Sequence, residues 1–194
     1  MNRRSFVASA LAFLFIAAPA AAQGLPRVRI QTSIGPIVIE VNTRAAPITG
    51  ANFLRYVDQR RFDGSTFYRA ARNKADPTKG LVQGGIDHFI PKALPPIAHE
   101  PTSRTGLRHV DGTVSMARNA PGSAMGDFFI ILGTAPYLDA QEGRPGYAAF
   151  GRVISGKPVL QRILAAPTWP GGRSRETVGQ LLRDRITIIS ARRI

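Results

Sequence analysis

The sequence predicts a mainly β protein: a closed β-barrel with two α-helices over its ends. Three observations lead there. Short runs of alternating apolar and polar residues recur along the chain, and only two stretches carry helical spacing. The third is composition: 19 Gly and 15 Pro against 4 Lys suit short elements joined by turns, not a coiled coil or an acidic disordered segment. With 194 residues, 44% of them hydrophobic, the chain can bury one core, so a single folded domain is expected.

The first element stands apart from the barrel. Met1 to Arg4 is a short basic start, residues 6–18 are almost unbroken apolar sequence, and Ala20, Ala21 and Ala22 precede Gln23 as a small-residue cleavage site. Residues 1–22 read as a signal peptide and 23–194 as the mature domain, which places the protein in the periplasm or outside the cell. The apolar run is short for a membrane span, which takes about 20 residues, and no later segment approaches that length, so no transmembrane segment is expected after processing. Arg3 and Arg4 before Ser5 and Phe6 also fit a twin-arginine signal, and the export route stays open.

The mature chain opens with a hairpin, 28–32 and 37–41, around a link of Ser33, Ile34, Gly35 and Pro36. From Pro47 the period becomes helical, with Gly50, Phe53, Leu54 and Val57 on one stripe and Arg55, Asp58, Gln59 and Arg60 opposite. Asp63 and Gly64 end that unit, and alternation resumes at 65–69. Further strands are expected at 81–83, 112–118, 127–132, 148–154 and 185–191. A second helix is expected over 158–165, where Val159 and Ile163, and Leu160 and Leu164, repeat at four-residue spacing before Pro167.

Composition excludes several chemistries. Without Cys there is no disulfide framework, thiolate nucleophile, iron-sulfur cluster or Cys-based zinc site. His88, His99 and His109 lack metal-ligand spacing and read as exposed or hydrogen-bonded loop residues, so no metal is expected. A serine hydrolase is set aside because no Gly-x-Ser-x-Gly elbow is present. The net charge is +14; cleavage after Ala22 would remove Arg3 and Arg4 and leave 24 basic against 12 acidic residues. These basic residues are scattered and not interleaved with aromatics, so no specific nucleic-acid partner is expected.

Phe67-Tyr68-Arg69, Gln83-Gly84-Gly85, the run from Gly112 to Arg118 and Phe128-Phe129-Ile130, in that order, resemble the cyclophilin family of peptidyl-prolyl cis/trans isomerases. The likeness continues through Leu138-Asp139 and Phe150-Gly151-Arg152-Val153, covering nearly the whole mature chain. It implies a closed eight-stranded antiparallel β-barrel capped by two α-helices, and proline-containing polypeptides as substrates. The implied catalytic residues are Arg69, as the guanidinium that favours the twisted prolyl amide, and Gln83, which holds guanidinium and substrate carbonyl together. The implied substrate-binding residues are Phe129, Ala117, Leu138, Asp127, Tyr147 and Leu81. Phe128 and Met116, on the alternate positions of their strands, are expected in the core.

Three positions depart from the family pattern. Asp127 stands where Gln is usual, placing a carboxylate near Arg69; Tyr137 stands where many relatives carry Trp; and Tyr147 replaces a frequent pocket His. Altered peptide affinity and weak cyclosporin binding are the expected consequences. No cofactor is expected, and the protein is read as a monomer that isomerises X-Pro bonds in exported proteins. The competing reading is a non-catalytic peptide-binding or chaperone module on the same barrel.

Overall fold

The computed structural model describes residues 24–194, and the expected signal peptide, 1–22, lies outside them. Eight strands form a closed barrel: β1 (Arg27–Thr32), β2 (Gly35–Val41), β3 (Ser65–Arg72), β4 (Gly80–Gly85), β5 (Thr113–Met116), β6 (Asp127–Leu132), β7 (Ala148–Ser155) and β8 (Leu181–Arg193). Their order is β1-β2-β7-β5-β6-β4-β3-β8, with β8 pairing back to β1 and every neighbour antiparallel. Closure pairs every strand on both sides and leaves no free sheet edge. The two expected helices are α1 (Pro47–Asp58), which packs on β7 and β8, and α3 (Lys157–Ala165), which packs on β2, β3 and β4. A further single turn, α2 (Thr102–Thr105), lies between Pro101 and the left-handed Gly106. Four residues are too few to display a helical period, so it carries no sequence signal.

β2, β3 and β4 run longer than the expected 37–41, 65–69 and 81–83, and β5 and β8 differ from expectation for local reasons. β5 is shorter than 112–118 because Gly112 is left-handed (φ 81°) and Ala117 donates instead to the Asp127 carbonyl beyond the ladder. β8 starts earlier than 185, since Leu181 pairs with Arg69 of β3.

Helix α1 illustrates how distant sequence completes a local element. Its N-cap position is Ala46, which offers no side-chain acceptor, and its first turn holds no acid. Glu100 supplies both from elsewhere in the chain. Its carboxylate accepts from the Ile48 and Thr49 amides at 3.1 and 2.6 Å and from the Thr49 hydroxyl at 2.6 Å. An anion there satisfies orphan donors and complements the helix dipole.

Inside the barrel, α1 contributes Phe53, Tyr56 and Val57 to an aromatic core with Phe62, Phe67, Phe128 and Phe150. Phe128 is fully buried, and Phe53, Phe62 and Phe67 meet it nearly edge-on at centroid distances of 5.5, 5.5 and 5.8 Å. Such edge contacts add to the area term. Gly84 makes room for this cluster: a Cβ there would stand 2.8 Å from the Phe67 ring. Truncating Phe128 to Ala is expected to lower unfolding stability by about 3–5 kcal/mol, read from the midpoint and slope of urea denaturation.

Candidate active site

Pleating divides β6 between two environments. Phe128 and Ile130 face the core, whereas Phe129 and Ile131 face outward into a second cluster with Ala135, bordered by Leu81, Ala117, Leu138 and Tyr147. All the apolar residues expected to bind substrate therefore meet on one outer face of the barrel. They line a cleft of about 740 Å³ together with Arg69 and Gln83.

Arg69 reaches that face through a β-bulge. Phe67 pairs with Gly84 and Arg69 with Gln83, leaving Tyr68 as the extra residue of β3. Unbroken alternation would put Arg69 on the same face as Phe67, in the core; the extra residue re-aims it outward. Ala70 then resumes the buried face. Leu181, Arg69, Gln83, Phe129 and Ser115 consequently stand side by side across five strands.

Two neutral amides hold the guanidinium. Arg69 Nη1 donates to Gln83 Oε1 at 2.8 Å, and Arg69 Nε donates to Gln180 Oε1 at 2.8 Å. Each amide is oriented by its own donor: Gln83 Nε2 to the Tyr68 hydroxyl at 2.7 Å, and Gln180 Nε2 to the Glu176 carbonyl at 2.8 Å. The Gln180 carbonyl also accepts from Ala70 N, tying this residue to β3. Nη2 is left for the cleft. Burial lowers the Arg69 pKa from its ordinary value without any carboxylate in salt-bridge contact, and a guanidinium stays charged in such a setting. Gln180 has no motif of its own in the sequence; it becomes visible only once β8 closes beside β3.

Acids near the cleft are occupied. Arg173 and Arg185 both bind Asp87. Burial would raise the Asp87 carboxyl, and these two guanidinium groups outweigh it and hold the carboxyl below its ordinary value. The expectation for Asp127 is corrected: it does not line the cleft. Asp87 and His88 are left-handed (φ 51° and 58°), and their amides converge on the Asp127 carboxylate at 2.7 and 3.2 Å. A run of such amides forms an anion-binding nest. Burial nonetheless pushes the Asp127 carboxyl above its ordinary pKa, and its charge adds to the burial that raises the Tyr68 phenol.

That His109, Asp139 and Ser115 join behind Phe129 carries no signal in the sequence, where His109 reads only as an exposed or hydrogen-bonded loop residue. The His109 ring stacks on Phe129 (5.9 Å, 15°); its Nδ1 lies 2.6 Å from Asp139 Oδ1 and its Nε2 2.9 Å from Ser115 Oγ. A neutral ring with Nδ1–H toward Asp139 accepts the Ser115 hydroxyl proton at Nε2. The order is that of a serine hydrolase triad, yet Ser115 is fully buried and His109 only 1% exposed, so no substrate reaches the hydroxyl. The array is a hydrogen-bonded backing for the pocket. On the open side, Tyr147 meets Phe129 edge-on at 5.4 Å and carries the Arg118 guanidinium 4.8 Å over its ring. Tyr137 is exposed at the rim. Among the described residues no three His, Asp or Glu cluster as a metal site.

Comparison with known proteins points one way. Residues 27–190 match the family model described as cyclophilin type peptidyl-prolyl cis-trans isomerase/CLD. A peptidyl-prolyl cis-trans isomerase of Acinetobacter baylyi is 36% identical over 166 residues, covering 84% of this chain and 83% of that protein. One from Streptomyces antibioticus is 38% identical over 150 residues, covering 73% and 84%. Among solved structures, the fold is similar to a Cryptosporidium parvum cyclophilin type peptidyl-prolyl cis-trans isomerase, with TM-score 0.66, 20% identity and coverage of 87% and 97%. A second structure of that protein, in the presence of the dipeptide Ala-Pro, gives TM-score 0.66 and 21% identity over 85% and 96%.

Burial lowers the His109 pKa from its ordinary value, against the opposing pull of Asp139. The unfolded chain, with an imidazole pKa of about 6.5, therefore takes up the proton first. This contribution to stability is complete above that pH and is lost as pH falls through the folded pKa. Thermal melts between neutral and mildly acidic pH should show the decline, and His109→Gln should flatten it.

Proposed function

The chain belongs to the cyclophilin type peptidyl-prolyl cis-trans isomerases, and from that premise we propose that Arg69 and Gln83 catalyse X-Pro isomerisation at this cleft, on polypeptides exported from the cytoplasm. The observation that carries the assignment is a guanidinium held only by neutral amide oxygens beside an aromatic-walled pocket.

Rotation about an amide bond faces a barrier of about 18–20 kcal/mol because it breaks C–N resonance. In the twisted state the prolyl nitrogen lone pair is localised and becomes a hydrogen-bond acceptor. Arg69 supplies a donor to that nitrogen which the planar ground state cannot accept, so the interaction stabilises the transition state selectively. A carboxylate partner would spend the cation's field on itself; Gln83 and Gln180 orient the fork and leave the charge uncompensated. Phe129, Leu81, Ala117, Leu138 and Tyr147 hold the proline ring while the preceding carbonyl swings. Gln83, already a mixed donor and acceptor, anchors the substrate backbone next to Arg69. The rotation breaks no σ bond, so the chemistry calls for no cofactor.

Export rests on the sequence of residues 1–22. Among the described residues no helix is long and apolar enough to cross a membrane. Barrel closure, which leaves no edge strand for a second copy to extend, supports a monomer. The binding-module reading is decided by activity alone.

A protease-coupled assay on Ala-Pro peptides tests the catalytic roles. Arg69→Ala and Arg69→Lys should both lose about a hundredfold to a thousandfold in rate, by analogy with loss of an oxyanion-hole donor, because Lys keeps the charge without the planar fork. Gln180→Ala, which removes one charge-assisted hydrogen bond of about 1.5–3 kcal/mol and leaves the Gln83 bond in place, should cost less. Phe129→Ala should raise KM as well as lower kcat. An inactive parent protein with intact peptide binding would favour the module instead.

Mass spectrometry of the native protein is expected to find a mature N-terminus near Gln23 in the extracytoplasmic fraction. Retention of Met1 on a cytosolic species would overturn the export assignment.

A further inference from the structure

Charge along the cleft is one-sided. The whole chain carries 26 basic and 12 acidic residues. The residues lining the cleft include Arg69, Arg72, Lys74, Lys79, Arg118 and Arg173, and no Asp or Glu at all. Lys79 pairs with Asp76 and Arg173 with Asp87. The other four have no carboxylate within salt-bridge distance among the described residues. Arg69 is held by amide oxygens, while Arg72 donates to the Leu164 and Ala166 carbonyls and the Thr168 hydroxyl. Arg118 donates to the Asn119 and Gly146 carbonyls, and its buried Nε finds no acceptor. Lys74 stands exposed on the connection between β3 and β4.

These cations extend well beyond what a proline ring needs. A cleft of about 740 Å³ takes a segment of several residues, so the residues flanking proline lie among them. Uncompensated charges beside low-dielectric walls focus their field into the cleft, raising encounter rates with anions and repelling cations. Accepting the isomerase reading of the site, we propose that its preferred substrates are proline segments flanked by aspartate or glutamate. Lys74, exposed and without an acid at salt-bridge distance among the described residues, is the residue that selects them, assisted by Lys79 on the same β3–β4 connection, whose solvent-exposed pair with Asp76 holds it only weakly.

The test compares kcat/KM for three Ala-Pro peptides carrying Gln, Glu or Lys on both sides of the dipeptide, at low and at high salt. At low salt the Glu peptide should exceed the Lys peptide by about threefold to tenfold, the range for one or two solvent-screened ion pairs, and salt should erase the difference. In the double variant Lys74→Glu with Lys79→Glu that ratio should fall toward one. A control, Arg29→Glu with Arg104→Glu, makes the same charge change at exposed positions outside the cleft and should keep the ratio. Equal turnover of Glu and Lys peptides at low salt would overturn the inference. So would loss of the ratio in the control as well, which would show only the attraction of a cationic protein for anions. Failure to turn over even the Gln peptide would instead overturn the isomerase reading on which the inference rests.

Discussion

Everything at the cleft depends on one departure from β-pleating. A closed barrel enforces strict alternation, since each strand is paired on both sides and a residue facing the core cannot turn outward without breaking its register. On β3 that rule would bury Arg69 alongside Phe67, where an unpaired guanidinium would cost several kcal/mol. The bulge at Tyr68 resolves the conflict: Phe67 stays in the aromatic core, Arg69 emerges opposite Gln83, and Ala70 returns to the interior. The same offset lets β8 begin at Leu181 beside Arg69, which brings Gln180 to the other edge of the guanidinium. One inserted residue thus sets both hydrogen bonds of the Arg69 guanidinium.

Electrostatics then preserve what the bulge creates. The protein places its nearby carboxylates on other partners: Asp87 on Arg173 and Arg185, and Asp127 on two backbone amides. Arg69 keeps an undivided charge inside a partly dehydrated cleft, where a donor aimed at a developing lone pair is worth more than it would be in water. The cost of holding a cation there is met by rigid amide dipoles that need no rearrangement when the substrate twists. The surplus of positive charge along the rim fits the same arrangement: Asp76 and Asp87 pair with Lys79 and Arg173, and Arg69, Arg72, Lys74 and Arg118 have no carboxylate within salt-bridge distance among the described residues.

The apolar wall is supported from behind. The Phe129 ring is backed by the stacked His109 and by the hydrogen bonds that hold His109 between Asp139 and Ser115. Ser115 lies directly across the sheet from Phe129. A polar array with both imidazole nitrogens satisfied resists displacement better than apolar packing alone, because moving the ring would leave buried groups unpaired.

Much of this was legible before the chain was folded. Alternation along 127–132 separates Phe128 from Phe129, and helical spacing from Pro47 and over 158–165 marks both long helices, because these signals are carried by side-chain period within a single element. The order of the Arg69, Gln83 and Phe129 motifs carried the family likeness and hence the chemistry. What the sequence could not contain is any pairing between distant elements. Glu100 capping α1, Gln180 beside Arg69, His109 behind Phe129 and the diversion of Asp127 into a backbone turn each join residues that are far apart along the chain. Asp127 shows the limit most clearly, since the residue type suggested a carboxylate facing substrate, while two left-handed residues on another segment supplied the amides that claimed it. By itself the sequence determined the strands and the two long helices, their buried faces and the groups proposed to act; only the closed barrel decided which side chains became neighbours, because register across strands depends on the hydrogen bonding of all eight together.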